Sequence, residues 1–357
     1  GPRWLPAKAG TPTQQVRPLS TPPIDAAHAL CHVNGMQPDR ETLQTAAATV
    51  YGTLQPTPQY NWPMLSAQLG AEVWVKHENH TPVGAFKIRG GLVYFDHFLQ
   101  QGGLGRGVIS ATRGNHGQSL GFAARRYGIP ATVVVPHGNS VEKNAAMRAL
   151  GVRLIEHGED FQAAREHAGQ VAQDNGLHMM PSYHRLLVAG VGSYALELFG
   201  AVPDLDTVYV PIGLGSGICG MVAARDALGL TTRIVGVVSA SAPAYAESFR
   251  ARRAVAAPVT TRLADGIACR VPEPEALEII WRGVDRIVEV GDDDVADAMR
   301  LLFTCTHNVC EGAGAAATAA AWRERAALAG RRVAVVASGG NVDRRVFSAV
   351  LAGETYP

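Results

Sequence analysis

The 357-residue sequence has little net charge: 32 Lys and Arg stand against 31 Asp and Glu, which leaves +1. That balance gives no electrostatic footprint for nucleic acid or for an anionic membrane surface. No apolar run reaches the ~18–20 residues that a membrane span requires, and Ala313–Ala321 is too short and too weakly apolar. The first residues lack the apolar core of a secretory signal. Cysteine is sparse and odd in number. Cys31, Cys219, Cys269, Cys305 and Cys310 are scattered, and read as reduced thiols of a cytoplasmic protein rather than a disulfide scaffold. Cys305, His307 and Cys310 also lack the spacing of paired zinc ligands. What the chain does have is 47% hydrophobic against 18% charged residues, the balance of a globular protein. Its length predicts roughly two domains of ~150 residues.

Residues 1–40 carry Pro2, Pro6, Pro12, Pro18, Pro22, Pro23 and Pro38. Proline removes a backbone donor and restricts its neighbour, so an extended arm is expected there. A helix is expected from about Asp39 to Tyr51, ended by Gln55-Pro56-Thr57-Pro58. Beyond it, runs rich in Val and Ile alternate with segments of helical period. The strand candidates are Val73–Val75, Gly107–Ser110, Ala131–Val135, Val152–Ile155, Thr207–Ile212, Arg233–Val238, Arg286–Val290 and Arg332–Ala337. The helical candidates include Gln118–Tyr127, Val141–Leu150, Asp160–Asn175, Ala189–Phe199 and Asp293–Phe303. This alternation predicts an α/β fold whose parallel sheets are covered on both faces. About eight strands suit two open sheets better than one. A closed (β/α)8 barrel is the competing architecture, opposed by irregular spacing and by the strandless stretch Ser239–Glu278.

In open sheets ligands gather beyond the strand ends, where helices begin. Four glycine-rich points of that kind stand out. In the first, Lys87 lies between Phe86 and Ile88 with Gly84, Gly90 and Gly91 around it, as if at a partly dry turn opening a helix. A lysine of ordinary pKa, ~10.4, is almost wholly protonated at neutral pH, so a Schiff-base or general-base lysine has to be desolvated or tied to a cofactor. Read alone, a lysine is more often a solvated charge. The second point is Ser110-Ala111-Thr112-Arg113-Gly114-Asn115-His116-Gly117-Gln118. Its backbone amides suit a carboxylate or a phenolate-like oxygen, or Asn115 and His116 simply cap the helix.

The third point is Pro211-Ile212-Gly213-Leu214-Gly215-Ser216-Gly217-Ile218, where close glycines let backbone donors approach a phosphate. A dinucleotide site would want an acidic residue at the end of the next strand. That strand ends in Ser239-Ala240-Ser241, so a monophosphate cofactor is preferred to a nicotinamide one. The fourth is Ala337-Ser338-Gly339-Gly340-Asn341, whose serine suits a neutral hydrogen bond to a ring nitrogen and equally suits an ordinary turn.

Taken in this order, the four motifs make residues 50–345 or so resemble the fold-type II pyridoxal-phosphate enzymes, and among them the serine/threonine dehydratase and serine racemase family. The resemblance implies two open, twisted, mostly parallel sheets flanked by helices, as in tryptophan synthase β. It implies a large cofactor-binding domain over residues 41–103 and 186–357 and a small domain over 104–185. The implied cofactor is pyridoxal 5′-phosphate, linked to Lys87 as the catalytic residue, with Phe86 against its ring. Asn115 is implied to bond the 3′ oxygen, and Ser338 to partner the ring nitrogen. Gly213, Leu214, Gly215, Ser216 and Gly217 are implied as the phosphate cup, and Glu311 and Ala264-Asp265-Gly266 as neighbours of the ring. Thr112, Arg113, Gly114, Asn115 and His116 are implied to receive the substrate's α-carboxylate. The implied reaction removes water and ammonia from a β-hydroxy amino acid, of the threonine, serine or 3-hydroxyaspartate type, in a cytoplasmic homodimer. A serine, unlike a carboxylate, holds no proton on the ring nitrogen, which favours prompt β-elimination.

Three departures qualify the likeness. Arg113 stands where racemases of the family carry a serine, and a guanidinium is a poor proton shuttle. It suits a bidentate contact with a second substrate carboxylate, or a structural ion pair. Leu214 and Ser216 interrupt an all-glycine phosphate loop. Val238 and Ser239 stand where an acid of the family's cation site is usual, so no metal is expected. Little chain follows Asn341, and no C-terminal regulatory module is expected. The alternatives are another fold-type II reaction, racemisation or β-replacement, and a protein that binds the cofactor or an amino acid without turnover.

Overall fold

The computed structural model describes residues 37–355. The arm expected over 1–40 lies, up to residue 36, outside the described residues, as does Cys31. The chain enters through helix α1 (Arg40–Tyr51), where Asp39 accepts the Thr42 amide at 2.9 Å, a cap worth ~1 kcal/mol. There follow β1 (Gln59–Asn61), α2 (Pro63–Leu69), β2 (Glu72–His77) and α3 (Lys87–Gln100). Next come β3 (Val108–Ala111), α4 (Asn115–Tyr127), β4 (Ala131–Val135), α5 (Val141–Ala149), β5 (Arg153–Glu156), α6 (Phe161–Asn175), β6 (His178–Met179) and α7 (Arg185–Ala201). The last part holds β7 (Thr207–Pro211), α8 (Ser216–Ala227), β8 (Arg233–Ser239), α9 (Ala244–Ala251), α10 (Pro274–Gly283), β9 (Arg286–Val290), α11 (Asp292–Thr306), α12 (Gly312–Arg323), β10 (Arg332–Ala337) and α13 (Arg344–Ala352).

The strands form two open sheets, and the barrel alternative falls. One has six strands in the order β1-β2-β10-β7-β8-β9, antiparallel only where β1 meets β2. The other has four parallel strands in the order β5-β4-β3-β6. Side chains of β10 alternate between faces, as a strand requires. Val333, Val335 and Ala337 pack with α11 and α12, while Ala334 and Val336 pack with α7 and α8. A sheet buried on both sides explains why its strands are continuous apolar runs. In the smaller sheet Val108, Val133 and Val135 face α3, α4 and α7, and Ile109 and Val134 face α6. The eight expected strands are all present within two residues of their expected ends. Beyond Ser239 the stretch to Glu278 carries α9 and part of α10 but no strand.

Candidate active site

The site forms where the strand ends of both sheets face each other. β2 ends at His77, and the chain turns through Gly84, whose φ of +66° and closeness to the Asn341 side chain exclude a larger residue. Ala85 then bridges to Gly339, and the Phe86 amide donates to Ser338 O at 3.1 Å. Lys87, the first residue of α3, is thereby delivered beside the end of β10. Its carbonyl accepts the Ser119 hydroxyl at 2.6 Å, which ties it to α4 as well. Two glycines let α3 cross α7 with main chains in contact. A Cβ on Gly90 would lie 2.8 Å from Leu187 O, and one on Gly190 2.5 Å from Arg89 O.

The Lys87 ammonium is starved of partners. Loss of water on burial draws its pKa down to about 8, with the Glu311 charge acting in the opposite sense. Its Nζ lies 5.1 Å from the Phe86 ring centroid, and among the described residues no acceptor is hydrogen-bonded to it. His116, buried on α4, has an Nε2 without a partner, and burial and then Lys87 pull its pKa to about 3. A buried nitrogen left unbonded is costly until a ligand atom meets it. Lys87, Gly90, His116, Ser182, Leu187, Val191 and Ser216 line one pocket that is partly open to solvent.

The capping alternative for Asn115 and His116 fails: α4 has Gly114 at its cap and no side-chain cap bond. Asn115 instead points across the gap between the sheets. Its Nδ2 donates to Glu311 Oε1 at 2.5 Å, and its Oδ1 accepts from Asn341 Nδ2 at 2.9 Å. The neighbouring Thr112 Oγ1 accepts the Gly114 amide at 3.0 Å and shapes the loop. Arg113 is exposed, and among the described residues no ion pair or side-chain hydrogen bond engages it. The structural ion pair considered for it is therefore not seen among those residues.

After β7 the chain makes the Gly213–Gly217 turn. Gly215 has φ +104°, and a Cβ there would come 2.6 Å from that of Ala276. At Gly213 a Cβ would meet Gly266 O at 2.6 Å, whereas at Gly217 it would make ordinary contact with Phe86 and Tyr194. The Leu214 carbonyl is held by the Tyr245 hydroxyl at 2.8 Å. Ser216 opens α8, whose first amides have no intrahelical acceptor and carry the positive end of the helix dipole. Ser338 is buried after β10, and its hydroxyl donates to Ala313 O at a long 3.4 Å.

One residue of the site, Lys143, lies outside the four motifs, and another, Asn341, closes the fourth. Lys143 on α5 pairs with Asp265 Oδ2 at 2.8 Å and with Glu311 Oε2 at 3.1 Å. Asn341 bonds Asn115 and the Val83 carbonyl. Just before α7, Ser182 lines the pocket, Tyr183 packs near Gly215, and His184 caps the helix by accepting the Leu186 amide at 3.2 Å.

A dry amine, an orphaned imidazole nitrogen and free helix amides at one pocket fit an aldehyde that carries a phosphate and a polar ring. The family model described as pyridoxal-phosphate dependent enzyme matches residues 50–339, and the chain belongs to that family. Among its relatives is the L-threonine ammonia-lyase of Thermotoga maritima, 33% identical over 312 residues, 87% of this chain and 77% of the relative. The L-threonine ammonia-lyase of Geobacter sulfurreducens is 37% identical over 288 residues, 80% of this chain and 71% of the relative. The processed form of threonine deaminase isoform 2 from Solanum lycopersicum superimposes with a TM-score of 0.81 at 27% identity, covering 89% of this chain and 95% of that one.

Proposed function

We propose that the chain is a lyase that removes water and then ammonia from a β-hydroxy amino acid to give a 2-oxo acid. The observation that carries this reading is the partnerless Lys87 amine, in a pocket shared with His116 and the start of α8. The ammonia-lyase relatives support the same reaction class.

When bound, pyridoxal phosphate supplies a conjugated ring that spreads the negative charge left at the substrate's α-carbon. Lys87 Nζ would be the attachment point and, when free, would take the α-proton; the burial that draws its pKa to about 8 favours the neutral amine. Asn115 spends its carbonyl and one N–H on Asn341 and Glu311, which leaves its second N–H for the ring's 3′ oxygen. The first amides of α8, within Gly213, Leu214, Gly215, Ser216 and Gly217, hold the phosphate, and Ser338 offers the ring nitrogen a neutral hydroxyl. Phe86 would lie against the ring. Backbone amides over Thr112–His116 orient the substrate's α-carboxylate. The β-hydroxyl would depart as water, taking the proton that Lys87 Nζ had removed from the α-carbon. The enamine left behind leaves the protein, tautomerises to an imine and takes up water, releasing ammonia and the 2-oxo acid.

Arg113 selects the side chain in this reading. It is exposed at the substrate loop, stays charged and cannot shuttle protons, which disfavours racemisation. A bidentate contact with the second carboxylate of 3-hydroxyaspartate suits it. The same reading includes a small domain over 104–185, a homodimer and a cytoplasmic location.

The test is a panel assay for 2-oxo acid and ammonia from threonine, serine and 3-hydroxyaspartate, with borohydride trapping at Lys87. In Arg113→Ala, kcat/KM toward 3-hydroxyaspartate should fall ~10–100-fold, as expected for a lost charge-assisted bond, and toward threonine under ~3-fold. Equal losses remove the role of Arg113. Trapping at Lys87 without keto acid from any substrate favours a binding protein or another reaction of the family.

A further inference from the structure

Lys143 belongs to none of the four motifs, yet it is buried where the two sheets meet. Ser140 Oγ accepts its amide at 3.0 Å and so fixes the start of α5. Its stem fills the space beside Gly114, where any Cβ would collide with it. Its ammonium crosses to Asp265, in the 3-10 turn Asp265–Ile267, and to Glu311, at the start of α12. From α4, Asn115 grips the other oxygen of the same Glu311 carboxylate. Helices of the four-stranded sheet thus hold one acid of the six-stranded sheet from two directions.

We infer that Lys143 is a positioning residue for the reaction: bridging Glu311 and Asp265, it fastens the Thr112–His116 loop at Lys87 and holds the Glu311 carboxyl group near that amine, a role that rests on the pocket being the cofactor site. The groups that face Glu311 are Lys87 from α3, Asn115 from α4, Lys143 from α5, Asp265 from the 3-10 turn and the adjacent Cys310 thiol. Burial pushes the Glu311 carboxyl up; Lys143 opposes that rise and Asp265 adds to it. Loss of Lys143 therefore makes Glu311 harder to ionise, and loss of Asp265 makes it easier. A lysine that merely glued the sheets together would alter the titration of Glu311 without moving the pH profile of the reaction.

The experiment compares the pH profile of kcat/KM in the cofactor-loaded wild type, Lys143→Met, Lys143→Arg and Asp265→Asn. Amide exchange over residues 108–123 is followed in the same proteins without cofactor. In Lys143→Met the acid limb should move up by ~1 pH unit or more, the usual size of a lost close counter-charge, with loop exchange accelerated ~10-fold. Lys143→Arg, which keeps the charge, should restore the limb, and Asp265→Asn should move it down. A limb that stays in place in Lys143→Met, or moves in the same direction in both neutral variants, overturns the inference. Should Lys143→Met not fold, the direction of the Asp265→Asn shift decides alone. Failure of borohydride to label Lys87 in the wild type overturns the cofactor site instead, whereas normal labelling with an unmoved limb sinks only the role of Lys143.

Discussion

Among the described residues, the charge cluster under α3 and the amine at Lys87 are buried on opposite plans. Under α3, Lys76, Glu78, Arg89 and Glu197 form two cations and two anions with side chains at most 5% exposed. Lys76 Nζ has three acceptors, Thr57 O at 2.7 Å, Gln59 Oε1 at 2.9 Å and Glu197 Oε2 at 2.6 Å, which match its three hydrogens. The Arg89 guanidinium reaches Glu78, Glu197, Ser193 and Thr57. Burial alone would push the Glu197 carboxyl up, but Arg89 and Lys76 outweigh it and hold it below its ordinary value. Two residues before Arg89 on the same helix, Lys87 has no such partner, and the His116 nitrogen is likewise bare. A saturated network stabilises one conformation, while an unsaturated one keeps binding capacity for something that arrives later.

Deleting each cation should separate the two plans. The largest effect is on catalysis. Lys87→Met should lower kcat by at least ~1,000-fold, since the proposed base and attachment point go together, measured as keto acid released per enzyme. The same change should leave the urea midpoint of the cofactor-free chain unchanged or higher, because an unpaired amine is replaced by an apolar side chain of similar shape. Arg89→Met should do the reverse to stability. It strands two buried carboxylates and should cost ~3–5 kcal/mol, read as a lower urea midpoint. If both variants destabilised the chain equally, the distinction would be lost.

The smallest effect is one of pH. The folded pKa of Lys87 lies near 8, below its ordinary 10.5, so between those values the unfolded chain binds more protons than the folded one. Stability of the cofactor-free chain should therefore gain a contribution that grows as pH rises through that window and is absent below it. Urea titrations of wild type and Lys87→Met at about pH 7.5 and about pH 10 check the sign: the wild type should show the larger gain.

Much of this architecture was legible from the chain alone because it is written locally. Strands such as Thr207–Pro211 and Arg332–Ala337 are buried on both faces and so are unbroken apolar runs. Lys87 and Asn115 stood out because glycine-rich turns at strand ends announce themselves by composition. β1 escaped because Gln-Tyr-Asn is short, polar and at a sheet edge, and β6 because it is only two residues long. Lys143 escaped for a different reason. Its partners Asp265 and Glu311 lie more than a hundred residues away, and Ser140-Val141-Glu142-Lys143 reads as nothing more than a capped helix start. Pairings that exist only after two sheets meet have no local signature.

The crossing of α3 and α7 at Gly90 and Gly190 has a genetic consequence. What obstructs a methyl group at either position is main-chain carbonyl oxygen, Leu187 O on one side and Arg89 O on the other. No trimming of a neighbouring side chain can open that space, so an alanine at either site should have no second-site suppressor nearby. Variation is left to exposed positions such as 113, while the joint that carries the amine stays closed to drift.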